Sequence, residues 1–373
     1  MSQPLHEEFR RVRFFGCLDG LRALSILGVI WSHVWYVSGP RYYDQLIQWP
    51  VLRMGAFGVD VFFTISGFLI TTLLLREQAK SGQISLRNFY IRRALRIWPL
   101  YYAVLALYVV LVAVLQRGTG RDATFYHFLP GYLTFTFTWF AGFASSAAIF
   151  QFAWSLSVEE QFYVFWAAVL RIGRGLLPLA IAAVLIAIKM SSVYGGLQVL
   201  VKSDSLPWRM AAGIAVPICL GAILAQLLHP KWGFEKARVL AGARWSAPIA
   251  LVALLATLAP ASWSWAPLQW VATMVLIACC VIREDNGLAW LLGWKPLAYI
   301  GTVSYGMYML NTLTLDGLNP LLNRAGLHHP LLKFVIAAGV TTLVASASYH
   351  YFETPFLQMK DRFVKIPSRA TAS

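Results

Sequence analysis

Charge is scarce in this 373-residue chain, and acid is scarcer still. Charged residues make up 13%, with 16 Asp and Glu against 31 Lys and Arg, where a soluble chain carries about 25%. No polar stretch is long enough to fold alone as a soluble domain; the longest polar stretches are short loops. Cysteine is nearly missing. Cys17, Cys219, Cys279 and Cys280 lie in or beside apolar runs without ligand-like spacing. They read as small packed hydrophobes, and neither a disulfide framework nor a zinc site is implied. No internal repeat of about 20–50 residues is visible, and no inverted pair of broken helices of the kind many transporters carry. The first apolar segment lacks a small-residue cleavage site, which argues against a removable signal peptide.

Apolar residues fill the space that charge leaves. They form 58% of the chain, mean hydropathy is +0.62, and runs of spanning length recur from end to end. The fold class expected is therefore all-α: a polytopic transmembrane helical bundle, one integral-membrane domain over 1–373. The net charge of +15 would suit nucleic acid in a soluble chain. In a membrane chain, Lys and Arg collect on cytoplasmic loops beside anionic headgroups, so the expected partner is membrane lipid and not nucleic acid.

Apolar runs fall near 16–37, 57–75, 97–116, 154–170, 175–190, 207–228, 245–260, 264–282, 297–315 and 331–352. Residues 121–153 are ambiguous, aromatic but broken by Pro130, Gly131 and Gly142. Charge arbitrates. If 121–153 does not cross, one side collects 21 of the 31 cations. These include the N-terminal segment 1–15, the basic segment 76–96 and the tail 357–373. If it does cross, the bias largely vanishes. The expectation is about ten spans, both termini cytoplasmic, and 121–153 external or re-entrant.

Several polar residues lie inside these runs, where lipid gives them no reason to be. Arg22 and His33 are eleven residues apart in the first span, so they differ by only ~20° around a helix and by roughly 16 Å along it. With the expected topology, His33, Asp60 and the pair Glu159 and Glu160 come to a similar depth in the outer half. That is the composition of a general base with carboxylates to orient it. A lone histidine is ordinarily a packed residue bonded to one neighbour; acids from two other spans shift the reading toward chemistry. At the cytoplasmic end, Arg93 and Arg96 stand at i, i+3, where paired guanidinium groups suit phosphate. The bland alternative for either is a positive-inside anchor. Asp19, at i−3, is the candidate structural partner of Arg22. The run Ser304 to Asn311 places hydroxyls and an amide within a span. Glu353, before Pro355, either pairs with the arginines or is an interfacial carboxylate.

Five stretches carry a specific likeness. Phe15 to His33 (FGCLDGLRALSILGVIWSH), Gly58 to Ile70 (GVDVFFTISGFLI), Phe89 to Tyr102 (FYIRRALRIWPLYY), Trp154 to Tyr163 (WSLSVEEQFY) and Tyr351 to Phe356 (YFETPF) resemble, in order, motifs of the acyltransferase-3 family. These are integral-membrane O-acyltransferases that modify O-antigen, exopolysaccharides, nodulation factors and macrolides. The resemblance implies transfer of an acyl group, commonly acetyl, from cytoplasmic acyl-CoA (acetyl-CoA) to a sugar hydroxyl, on an exported or lipid-linked glycan at a bacterial inner membrane. No metal is required. The family's arginine-x10-histidine motif falls on Arg22 and His33, its arginine-x-x-arginine motif on Arg93 and Arg96, its serine-to-glutamate motif on Ser155 to Glu160, and its late glutamate on Glu353.

On that basis Arg22, Arg93, Arg96 and Glu353 are the donor-binding candidates. His33 is the base, or a transient acyl acceptor, with Asp60, Glu159 or Glu160 to fix its tautomer. Ser155, Tyr305 and Asn311 are the substrate-contacting candidates. One departure stands out: members often end the Ser-Tyr-x-x-Tyr-x-x motif with histidine, and here that position is Asn311. The rival reading from another class is a permease using His33 and the membrane carboxylates as a proton relay. A third is a sensor domain that keeps the fold without catalysis.

Overall fold

The structure is a computed structural model that describes residues 5–12, 14–39, 54–141, 149–202, 205–258 and 266–363. Among the described residues there is no strand, and the chain is helical as its apolar runs imply. The main helices are α1 (Gly16–Val37), α2 (Gly58–Ser81), α3 (Leu86–Leu115), α4 (Arg121–Leu133), α5 (Ala153–Ile172) and α6 (Leu177–Val193). They continue with α7 (Val216–Leu228), α8 (Lys231–Ala241), α9 (Ser246–Leu258), α10 (Ala266–Ile282), α11 (Lys295–Arg324) and α12 (Pro330–Ala347).

Among the described residues, α1, α2, α3 and the stretch Pro330–Lys360 are long and apolar enough to cross a membrane. Two bent pairs bring the number from four to six: Leu206–Ala212 with α7, bent by 56°, and α8 with α9, bent by 74°. α6 and α10 are apolar but shorter, and α11, though 30 residues long, is interrupted by polar side chains. The apolar runs of the sequence thus map onto helices of unequal length. The run at 207–228 breaks where Gly213 ends one helix and Pro217 opens the next.

The basic segment 76–96 is mostly helical. It is the end of α2, a short turn and the first turns of α3. The turn is closed by side chains. Ser85 caps α3, its hydroxyl accepting the Asn88 N–H at 3.4 Å. Glu77 accepts both the Ser85 N–H and the Arg92 guanidinium, each at 3.0 Å. The other Arg92 nitrogen donates to the Phe363 carbonyl at 2.8 Å. Arg92 is therefore spent on structure, and its rotation leaves Arg93 and Arg96 to face the bundle interior.

Within 121–153, α4 has 13 residues. At ~1.5 Å per residue it is about 20 Å long, short of the ~30 Å hydrocarbon core. Residues 142–148, with Gly142, lie outside the described residues. What holds α4 is hydrogen bonding to α3 and the rings of Phe137 and Phe150, 4.7 and 5.2 Å from that of Tyr132. The Tyr101 hydroxyl donates to the Tyr132 carbonyl at 2.7 Å, and the Tyr101 ring lies 4.4 Å from that of Phe135. Phe135 sits at φ 54°, a left-handed conformation that costs a non-glycine residue roughly 1–2 kcal/mol; the ring contacts hold it there.

Other helices meet at backbone distance. A Cβ on Gly301 of α11 would strike the Asp19 carbonyl of α1, and one on Gly58 of α2 the Ser25 carbonyl of α1. Gly67 of α2 and Gly221 of α7 face the carbonyls of Ile218 and Thr64 reciprocally. Small residues let backbones approach where lipid supplies no hydrophobic drive for association. The helices that carry Arg22, His33, Asp60 and Asn311 are set around these contacts.

Candidate active site

Five helices bound a cavity of about 110 Å³. Each contributes one stripe at helical spacing. α1 gives Arg22; α2 gives Val59, Phe62 and Ser66; α3 gives Arg93 and Arg96; α5 gives Ser155, Glu159 and Tyr163; α11 gives Ser304, Tyr305 and Tyr308. Positions i, i+4 and i+8 on α5 share one face, which is why Ser155, Glu159 and Tyr163 all look inward.

The arginine end is dense with opposed charge. Arg22 Nη1 meets Asp19 Oδ1 at 3.2 Å, with Asp19 only 1% exposed. Arg93 lies 5.2 Å above the Tyr163 ring. The hydroxyls of Ser66 and Tyr163 are within hydrogen-bonding reach of Glu159, with Arg93 and Arg22 in its field. Glu353 arrives on a π-helical turn, Ser348–Glu353, a rare conformation that recurs at functional sites. Its Oε1 accepts from the Ser348 hydroxyl at 3.2 Å, and Arg96 lies in its field. Gly306 of α11 gives it room: a Cβ there would stand 3.2 Å from Glu353 Oε1. Tyr305 donates to the Ile97 carbonyl at 2.7 Å and ties α11 to α3.

From the cavity a polar stripe continues along α11. Tyr308 bonds the Ser155 hydroxyl at 2.5 Å, and Asn311 Nδ2 donates to the Tyr308 carbonyl at 2.6 Å. Asn311 Oδ1 then lies 2.6 Å from His33 Nδ1. This chain of bonds fixes a proton. A carbonyl oxygen can only accept, so the atom facing Tyr308 is the amide nitrogen, and the atom facing His33 is the amide oxygen. The oxygen accepts in turn, so Nδ1 carries the hydrogen, and Nε2 of a neutral ring is left with its lone pair. Asn311 is fully buried, and the histidine is oriented without a charge.

The expected site residues are therefore brought together unequally. Arg22, Arg93, Arg96, Ser155, Glu159 and Tyr305 line one cavity. His33 and Asn311 extend it through Tyr308, and Glu353 stands behind Arg96. The carboxylate expected on His33 is elsewhere: its ring meets Asn311. Asp60 accepts from the Trp270 indole at 3.2 Å, and Glu160 from the Trp98 indole at 3.2 Å. Depth alone placed those acids beside His33; helix rotation turned them to other neighbours. The sequence reading passed over Ser66, Tyr163 and Tyr308. Spacing held the signal, since Tyr163 is i+4 from Glu159 and Tyr308 is i−3 from Asn311.

A helical bundle with several apolar spans is the fold a membrane acyltransferase requires, and the comparison of sequences supplies the enzyme class. The chain belongs to the acyltransferase-3 family: the family's sequence profile, described as an acyltransferase domain, matches residues 15–350. Among relatives it is 27% identical over 380 residues to the Bacillus subtilis protein named "putative peptidoglycan O-acetyltransferase YrhL", covering 94% of this chain and 56% of that one. It is 24% identical over 368 residues to peptidoglycan O-acetyltransferase OatA of Listeria monocytogenes, covering 92% and 56%. The chain spans a little over half the length of these curated relatives. No solved structure matches it.

Proposed function

We propose that the chain moves an acyl group, acetyl in the first instance, from cytoplasmic acyl-CoA to a hydroxyl of a glycan. The observation that carries this reading is the His33–Asn311 bond at 2.6 Å. It leaves a free imidazole nitrogen at the end of a polar stripe that starts among three arginines. In this reading the chain makes about ten spans in a bacterial inner membrane, with both termini cytoplasmic and 121–153 external.

The donor's phosphates meet Arg93, Arg96 and Arg22, with Glu353 holding Arg96 in shape and Glu159 balancing the cluster. The donor arm follows the polar stripe upward. His33 Nε2 takes the proton of the acceptor hydroxyl while that oxygen attacks the thioester carbonyl. The carbon–sulfur bond breaks, the His33 imidazolium returns that proton to the departing CoA sulfur, and the glycan keeps the acyl ester. Asp60 and Glu160, each held by an indole, take no step in this scheme.

The relatives' names support a cell-wall glycan as acceptor, and peptidoglycan is the first to test. Mass spectrometry of surface glycans is to be compared between cells with the protein, without it, and with His33→Ala at equal protein level. Loss of the ester in both altered strains is expected; an ester that persists in His33→Ala overturns the mechanism. Consumption of acyl-CoA by the purified protein separates this reading from a permease, which consumes none. Family membership sides with the transferase.

A further inference from the structure

A second concentration of cations lies away from this cavity and shares no residue with it. α8 has two unlike faces. Gly233, Phe234 and Ala241 are buried inward. Outward stand Trp232, Val239 and Leu240, exposed by 60%, 82% and 84%. Lys231, Lys236 and Arg238 are exposed among them, and Lys236 lies 5.5 Å over the Trp232 ring. Apolar side chains so exposed are costly against water. The same pattern, with cations snorkelling between, is stable at the headgroup layer. The 74° bend between α8 and apolar α9 turns α8 steeply away from the direction of its neighbour. Exposed Arg244 and Trp245 occupy the corner.

At the start of α8 is a cavity of about 390 Å³, walled by His6, Glu7, Arg10, His229, Pro230 and Lys231. Neither Arg10 nor Lys231 has an ion-pair partner among the described residues, whereas Glu7 is paired with Arg11 at 3.5 Å. The wall is built rather than draped. Buried Arg76 donates to the carbonyls of Phe9 and Val12 at 2.5 Å and lies over the Phe9 and Phe15 rings. This pins the N-terminal helix, Leu5–Arg11, and with it Arg10. His6 donates to the His229 carbonyl at 3.0 Å. The His229 imidazole is pushed down to about 4, first by burial and then by the cations Arg10 and Arg76; the site is positive.

We propose that this cavity and the outer face of α8 bind an anionic phospholipid, its headgroup phosphate between Arg10 and Lys231 and its acyl chains against Trp232, Val239 and Leu240. The proposal rests on the reading that the chain spans a membrane, and on nothing about the reaction. It is tested on the full-length protein in nanodiscs of brominated phosphatidylglycerol or brominated phosphatidylcholine. The Trp232 fluorescence is read as the difference between the natural protein and Trp232→Phe.

Phosphatidylglycerol should quench that component more, with an enrichment of roughly fivefold per cation. The excess should disappear in Arg10→Ala with Lys231→Ala and persist in Arg10→Lys with Lys231→Arg. Inorganic phosphate or free CoA, added at equal ionic strength, should leave the excess unchanged; its erasure would assign the cavity to a soluble phosphate and overturn the proposal. Equal quenching by the two lipids, absent quenching by both, or a preference that survives the alanine pair would also overturn it.

Discussion

The two ends of the polar stripe that runs from the arginine cavity to His33 solve the problem of polarity inside a bundle in opposite ways. At the arginine end, charges crowd together and neutralise one another: Arg22 with Asp19 at 3.2 Å, Arg93 near Glu159, Arg96 near Glu353. At the histidine end the orienting group is neutral, a fully buried amide whose oxygen holds Nδ1 at 2.6 Å. A buried carboxylate would carry a desolvation cost and demand a counter-charge. An amide fixes the tautomer with a dipole alone. Under the proposed mechanism, charge collects where the donor's phosphates are held and is kept away from the nitrogen that accepts a proton.

That contrast can be broken at four places, in descending order of effect. His33→Ala should remove general-base catalysis and lower turnover by roughly 10²–10⁴-fold at unchanged protein level; single-turnover acyl transfer by purified protein reads this directly. Arg93→Ala with Arg96→Ala should act on the other end. Charged hydrogen bonds worth roughly 1.5–3 kcal/mol each are lost, so donor affinity should fall by about 10- to 100-fold per residue. Titration calorimetry with acyl-CoA measures it, and unchanged affinity would remove both residues from the donor site.

Asn311→Leu keeps the branch at Cγ and deletes the oxygen. It should lower kcat by roughly 5- to 10-fold, the worth of about one buried hydrogen bond, and leave the donor KM alone; a shift confined to KM would show that Asn311 does not position His33. Asn311→His, which restores an acceptor, should recover most of that loss. The smallest effect belongs to Gly306→Ala. Its methyl would stand 3.2 Å from Glu353 Oε1 and displace the carboxylate from Arg96. A rise in donor KM of roughly two- to fivefold is expected, as for a weak ion pair, with kcat unchanged.

Helical period made much of this legible. Apolar runs of spanning length dictate an all-helical chain. The stripe Ser155, Glu159 and Tyr163 could be read from spacing alone, as could Arg93 with Arg96. Period also held a warning that depth obscured: adjacent residues on a helix diverge by ~100°, so Glu159 and Glu160 could not both face one cavity. Glu159 lines it, while Glu160 turns to Trp98. Tertiary rotation was beyond reach. Nothing local in Asp60 announces Trp270, and the partner of His33 stands 278 residues along the chain. Nor could charge counting see that the basic segment 76–96 is mostly helix, because Lys and Arg report a side of the membrane and not a backbone conformation.

The glycine contacts have a mechanical consequence. Backbones in contact cannot slide or roll without collision, so α1 with α2 and α11, and α2 with α7, move as one block. That block carries Arg22, His33 and Asn311. The opposite wall, α3 and α5, is packed by large buried rings such as Tyr101, Phe150 and Trp166 and meets the block through side-chain bonds, Tyr305 to Ile97, Tyr308 to Ser155 and Trp166 to Thr71. One wall of the cavity is thus joined by backbone contact and the other by side chains. Under the proposed mechanism the base, its holder and Arg22 therefore keep one register, while Arg93 and Arg96 meet the donor from the other wall.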